Sequence, residues 1–318
     1  MIYEHVAVTG AAGLIGSAVV RRLEKLNVEV TAFDAPGAPD LVPGSRVPII
    51  KFDMVDPQMF QVMDAVSPQA VVHAAAHPGG KSLSEPVEDV RVNALASMQV
   101  FDWCAKAGSH VVYLSSSIVY GEQADTELSE SFPLAPGTVY GVAKVACEQW
   151  LRILGEGAGL SWTVLRPFAT YGAGHRPSLE QGIVNIMLTQ LLTGDRVVVK
   201  GSLQRRRDLI YVEDVATAIV QSLSKPAAHG KIINIGTGTG IMIGEMINML
   251  CDVLGRSRAA IEIQEEAGTV GDPLSNIADI TSMRKILEFE PAFGLAAGLE
   301  ELVRVRGFGS AKSAGGGY

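Results

Sequence analysis

The first sixteen residues constrain the chain more than any other stretch. An apolar, β-branched run over 5–9 leads into Thr9-Gly10-Ala11-Ala12-Gly13-Leu14-Ile15-Gly16, and an amphipathic helical pattern begins inside that turn. Glycines at 10, 13 and 16, a GxxGxxG spacing, permit a tight strand-to-helix turn and close backbone approach. They also leave a helix N-terminus with free N–H groups for a pyrophosphate. Asp34 closes the next apolar run. A carboxylate there accepts hydrogen bonds from ribose hydroxyls and repels a 2′-phosphate, which points to NAD rather than NADP. The bland alternative is a Gly-rich connection followed by an ordinary turn at Asp34-Ala35-Pro36-Gly37.

The strand-turn-helix rhythm continues. Short β-branched runs over 5–9, 28–33, 70–73, 110–114 and 161–166 alternate with longer amphipathic segments, the pattern of a parallel, doubly wound sheet. Pro167, Gly172, Gly174 and Pro177 then break the rhythm before a helical stretch over 182–192. A helical pattern over 213–223 followed by a strand over 231–235 reads as a return to the sheet. The expected fold is therefore α/β: a Rossmann domain over 1–166 plus about 208–238, with a smaller, discontinuous α/β substrate domain over about 167–207 plus 239–306. The small, Gly-rich stretch 307–318 reads as a disordered tail.

Composition narrows the partners. With 318 residues, 47% of them hydrophobic, the chain can bury a large core. A net charge of −8 opposes nucleic-acid binding, which needs clustered Lys and Arg, so a small-molecule partner is expected. Neither a signal-peptide pattern nor a membrane-length apolar run occurs, and the expected location is the cytoplasm. Cys104, Cys147 and Cys251 are dispersed, as are the six histidines, so no disulfide framework or metal site is expected. Gly80-Lys81-Ser82 looks like the end of a P-loop, but the first glycine of that motif would fall at Ala75.

Tyr140-Gly141-Val142-Ala143-Lys144 opens another helical pattern, and its i,i+4 spacing puts a phenol and an ammonium on one face. The ammonium and an oxidised nicotinamide both favour phenolate. Tyr140 is thus expected to come down from its ordinary value near ~10 toward working pH and serve as general acid or base. Upstream, the run 111–114 ends in Ser115-Ser116-Ser117-Ile118-Val119-Tyr120-Gly121, at the carboxyl edge where doubly wound sheets bind ligands. A serine there is placed to bond a reacting oxygen. Serines after a strand also simply turn the chain, and a lone YxxxK is commonly a solvated helix face.

Glycine turn, strand-end serine and YxxxK together resemble the extended short-chain dehydrogenases/reductases, specifically the NAD-dependent nucleotide-sugar epimerase/dehydratase family, over about residues 5–306. The resemblance implies NAD held by Gly10, Gly13, Leu14, Ile15, Gly16 and Asp34. Asp53 and Met54 are implied near the adenine, with Ala74, Ala75, Asn93 and Pro167 as further cofactor positions. It implies Ser116, four residues before Tyr120-Gly121, as the catalytic serine beside Tyr140 and Lys144. Substrate contacts are implied at Ser116, Ser117, Tyr171, Arg176, Gln204 and Arg207. Arg207 lies in 201–211, which is similar to the family's GxGxQxRDFxY stretch and would meet the nucleotide diphosphate; Arg205 and Arg206 are expected to form a solvated basic turn. Two positions depart from the pattern: Ala169 replaces a usual asparagine, and Thr269-Val270 stand where an arginine is common.

Family members that eliminate water or CO2 carry acidic residues where this chain has Ser117 and Ile118. Isoleucine transfers no proton, so the resemblance implies C4 epimerisation of a nucleoside-diphosphate sugar, UDP-linked by preference. The alternatives are a sugar-nucleotide dehydrogenase, ketoreductase or dehydratase on the same site, and a non-catalytic NAD-binding regulator, which the intact Ser116, Tyr140 and Lys144 oppose. Family likeness further implies a homodimer through helices over 86–107 and 139–154.

Overall fold

The computed structural model describes residues 3–123, 126–174, 178–269 and 271–307; Arg176, Val270 and the tail beyond Gly307 lie outside them. Five strands form early in the chain: β1 (His5–Thr9), β2 (Glu29–Asp34), β3 (Ile49–Lys51), β4 (Ala70–His73) and β5 (His110–Leu114). The short β6 (Glu127–Leu128) stands apart, and β7 (Trp162–Pro167) follows. Later come β8 (Ala169–Tyr171), β9 (Arg196–Lys200), β10 (Arg206–Tyr211), β11 (Lys231–Ile235), β12 (Gly240–Met242), β13 (Glu262–Glu266) and β14 (Ser275–Ala278).

The main sheet is parallel throughout, in the order β3-β2-β1-β4-β5-β7-β11. Order reverses between β1 and β4, the switch point where such sheets leave a crevice beyond their carboxyl ends. Register aligns that edge: Thr9 lies opposite both Phe33 and His73, and Leu114 opposite Leu165. β2 starts one residue later than its sequence pattern because the Val28 N–H is taken by the Leu23 carbonyl. β7 likewise starts after Ser161, whose hydroxyl bonds His110.

Both faces of the sheet are covered, which is why its strands read as nearly continuous apolar runs. Val6, Val8, Val72 and Val112 face α1 (Leu14–Lys25) and α7 (Val212–Ser224) in one core. The intervening Ala7, Val71 and Val111 face a second core under α2 (Gln58–Val66) and two long helices. The first of these runs from α3 (Pro86–Asp89) through a π-helical turn (Val90–Ala96) into α4 (Ser97–Ala107); the other is α5 (Val139–Ala158). No helix among the described residues is long and apolar enough to cross a membrane.

A third core lies outside the main sheet. Tyr171, Leu188, Val199, Leu209, Ile247 and Leu302 pack where β8, β9 and β10 meet α6 (Ile183–Thr193), α8 (Ile243–Leu254) and α9 (Leu295–Val305). β10 pairs with β8, β12 and β14, so residue 208 falls within a strand of this second assembly. Within 239–306, Ala278, Ile280, Met283, Leu287 and Phe289 join the α1–α7 core instead.

Candidate active site

The turn after β1 is built so that only glycine fits at its critical positions. Gly10 sits at φ +67°, and a Cβ there would stand 2.6 Å from the Ala75 nitrogen; a Cβ on Gly16 would run into the Gly10 carbonyl. The turn is tied by the Gly13 N–H to Gly10 O (3.0 Å) and by the Ala12 N–H to Asp34 Oδ2 (2.7 Å). Asp34 therefore braces the loop it faces, and its carboxylate retains lone pairs for a further donor. α1 opens at Leu14 without a side-chain cap, and the first N–H groups of a helix have no acceptor within it.

Leu14, Ile15 and the three glycines line one end of a cavity of about 340 Å³. Ala74, Ala76, His77, Pro78 and Gly79 form one wall, and Ala169 and Thr170 belong to another. Leu114, Ser115, Tyr140 and Lys144 complete the lining from the ends of β5 and the start of α5. Ala169 presents only a methyl group where the family pattern usually has an amide.

α5 begins where it does because Thr138 caps it, its Oγ1 accepting from the Gly141 N–H at 3.0 Å, while the Tyr140 N–H donates to Ser82 Oγ at 2.8 Å. One turn later Lys144 Nζ donates to the Leu114 carbonyl at 2.8 Å. The ammonium lies 4.7 Å from the Tyr113 ring centre and 5.4 Å from that of Tyr140. Ser116, two residues beyond the end of β5, lies near enough to the Tyr140 phenol to favour its ionised form. Burial pushes Tyr140 well above its ordinary value, the Asp89 carboxylate adds to that, and the Ser116 hydroxyl opposes it. In the protein alone the tyrosine is therefore raised rather than lowered: Lys144 is turned onto Leu114, and desolvation of the phenol dominates. Burial also brings Lys144 down to about 8, against the opposing influence of Cys147, Asp89 and Glu148.

Glu148, four residues past Lys144 on α5, was not singled out by sequence motif, although its spacing places it on the same helix face. Ser115 Oγ donates to Glu148 Oε1 at 2.5 Å, and Arg166 donates to both carboxylate oxygens, at 2.9 and 2.6 Å. Arg166 also reaches the Tyr120 hydroxyl (2.8 Å), which donates to Asn234 Oδ1 (2.6 Å). This buried network ties the carboxyl ends of β5 and β7 to β11 and to the helix that carries Tyr140.

The other expected residues divide. Ala75 backs Gly10, and Pro167 ends β7 opposite Ile235. Asn93 is fully buried and clamps His77 through both backbone groups, at 2.8 and 3.1 Å, so it shapes the cavity wall through the loop it holds. Asp53 is ion-paired with Arg91 at 2.7 Å, and Met54 is buried beside it in the second core. Neither lines the cavity. Ser117 starts a short turn and is half-buried, and Gln204 is exposed. Tyr171 is turned away: its hydroxyl donates to the Leu295 carbonyl (3.3 Å), and Gly298 packs directly beneath it.

Arg207 is buried, with Nη2 at 2.6 Å from Asp272 Oδ1. Arg205 shares the same carboxylate and also bonds the Ser202 carbonyl at 3.1 Å. The expected solvated turn is thus corrected at Arg205, whose guanidinium is buried over Gly201 because Asp272 is there to receive it. Arg206 is half-buried and reaches the Gly240 carbonyl at 3.3 Å. Gly271, at φ +77°, packs on Gly137 and Thr138, so the Asp272 segment abuts the start of α5.

A glycine-only turn and an uncapped helix end at one side of a cavity, with Asp34 bracing the turn and Tyr140 and Lys144 further along the cavity, fit a dinucleotide. Relatives agree. A UDP-glucose 4-epimerase from Mycolicibacterium smegmatis is 29% identical, covering 93% of this chain and 96% of its own. A dTDP-glucose 4,6-dehydratase from Streptomyces griseus is 30% identical, covering 94% and 93%. The structure of UDP-glucose 4-epimerase from Thermotoga maritima with UDP-glucose superposes with a TM-score of 0.88 at 28% identity, covering 95% and 98%. A model of the NAD dependent epimerase/dehydratase family matches residues 6–236. The chain belongs to that family, and its cofactor is NAD.

Proposed function

We propose that the protein is a nucleotide-sugar epimerase that inverts C4 through a transient 4-keto sugar. The observation that carries this is that Tyr140 and Lys144 line one cavity with the glycine turn, Ser116 lying near Tyr140, with Ser117 and Ile118 in place of the acids that elimination requires. When bound, NAD supplies the hydride acceptor and later donor, together with a positive nicotinamide. Tyr140 takes the C4 hydroxyl proton, and Ser116 bonds the oxygen that becomes the carbonyl. Lys144 holds the ribose. Burial favours the protonated phenol, so ionisation of Tyr140 depends on positive charge gathered around it.

Two buried arginines on one carboxylate leave a net positive charge by the start of α5, which suits Arg207 to a nucleoside diphosphate. The named substrate of the Mycolicibacterium and Thermotoga relatives favours a UDP-linked sugar. Exposed Val87, Val90 and Leu95 on the 86–107 helix and Val142 and Ile153 on α5 support a homodimer through these helices.

Purified protein incubated with UDP-, dTDP- and GDP-linked sugars is the test, with C4 configuration followed by NMR and NADH by absorbance. C4 inversion without net NADH is expected. Stoichiometric NADH would establish a dehydrogenase instead, and a 4-keto-6-deoxy product a dehydratase.

A further inference from the structure

Asp89 ends α3 where the chain enters the π-helical turn, and its side chain is fully buried. Among the described residues, neither of its carboxylate oxygens has a hydrogen-bond partner. The other buried acids are well supplied. Glu148 has Ser115 and Arg166; Asp208 takes the Thr237, Gly238 and Ala278 N–H groups; Asp214 takes those of Ala292 and Phe293. A carboxylate buried without such donors is strongly disfavoured unless an opposite charge stands near.

α3 packs against α5, and the buried cation on that helix is Lys144. Asp89 lies close enough to act on both Lys144 and Tyr140. The other ionisable groups around this pair are Cys147 and Glu148 on α5, His73 at the end of β4 and Tyr113 on β5. Glu148 is already neutralised by Arg166. Burial keeps His73 neutral, brought down to about 3, and pushes the Cys147 thiol and Tyr113 phenol up. Asp89 is therefore the carboxylate near the pair that lacks a cation of its own.

We propose that Asp89 is a positioning residue, the counter-charge of Lys144 that makes ionisation of Tyr140 conditional on the oxidised cofactor. The inference rests on Tyr140 being the acid/base group. Charge counting gives the reason. Lys144 and Asp89 cancel, so a Tyr140 phenolate alone would leave a buried site with net negative charge. Together with a positive nicotinamide, the phenolate leaves the site neutral; with the reduced, uncharged ring, the protonated phenol does. Proton and hydride thus leave the sugar together, from one neutral arrangement to another. Without Asp89 the site would hold an uncancelled ammonium, and Tyr140 would ionise more readily in either oxidation state of the cofactor.

The test is an ultraviolet phenolate titration of wild type and Asp89→Asn, with and without NAD, each corrected by the same protein carrying Tyr140→Phe. The expected result is about tenfold more Tyr140 phenolate in Asp89→Asn at a given pH, with less dependence on NAD. In turnover, both pH limbs move to lower pH, since the carboxylate favours protonation of Tyr140 and of Lys144. Superimposable titrations, or a change in melting temperature alone, would overturn the proposal. Asp89→Ser provides the same comparison if the asparagine variant does not fold. The absorbance reading does not require the protein to turn over any sugar nucleotide, so it stands apart from the fate of the C4 reading.

Discussion

The two ends of the site are held in different ways. Around the cofactor turn and α5, positions are set by short-range backbone geometry: glycines three apart, a cap three residues before Gly141, a phenol and an ammonium four apart. Around 201–211, the decisive contacts come from far along the chain, with Arg205 and Arg207 both fixed by Asp272 and Tyr171 held by Leu295 and Gly298. Local spacing transmits directly into structure, whereas an arginine's fate depends on whether a distant carboxylate folds against it.

Substitutions can break or sharpen that contrast. The largest effect is expected at Tyr140: Tyr140→Phe should cut turnover by roughly 10²–10⁴-fold while the protein still binds NAD, measured by steady-state kinetics and calorimetry. Glu148→Gln should cost about 3–5 kcal/mol in chemical denaturation, because Arg166 is left buried without its counter-charge. Gly10→Ala should weaken NAD binding by roughly tenfold or more, since an L-residue at that φ is strained by about 1–2 kcal/mol before its Cβ meets Ala75.

In the other region the effects are smaller and should separate. Arg207→Met is expected to raise KM for the sugar nucleotide by roughly tenfold with kcat nearly unchanged, whereas Arg205→Met should lower stability and leave KM alone. Equal KM changes for both would make Asp272 and its two arginines a single binding unit.

The pH response completes the series. Lys144 is brought down to about 8 in the folded protein, so above that pH the unfolded chain retains this proton more firmly. Between about 8 and the ordinary lysine value, this residue's contribution to stability should rise with pH, by roughly 1.4 kcal/mol per pH unit at most. Activity should fall over the same window as the ammonium is lost. Denaturant titrations and rates measured across it should therefore move in opposite directions, and Lys144→Met should remove the stability component.

Legibility in the sequence follows the same division. β1, β4, β5 and β11 lie where their β-branched runs predict, because each is buried on both faces and bounded by turn residues. β8, β12 and β14 carry too few residues to show a period. Spacing pairs Tyr140 with Lys144 and the family resemblance singles out Ser116, whereas nothing of that kind marks Asp89, since Pro86-Val87-Glu88-Asp89 looks like a solvated helix start. A signal was present: Asp89 precedes the buried Asn93 and Ser97 by four and eight residues, which puts an acid on the covered face. The height of the Tyr140 pKa was also out of reach, because it depends on burial from elements distant in sequence.

The most direct measurement follows a C4-deuterated UDP-sugar through the wild-type protein in ordinary water. Reversible oxidation at C4 predicts that the deuterium is found at C4 of the epimer, undiluted by solvent protons, with none in free NADH. Loss of the label to solvent, or its accumulation in released cofactor, would contradict a hydride taken from and returned to C4 beside Tyr140.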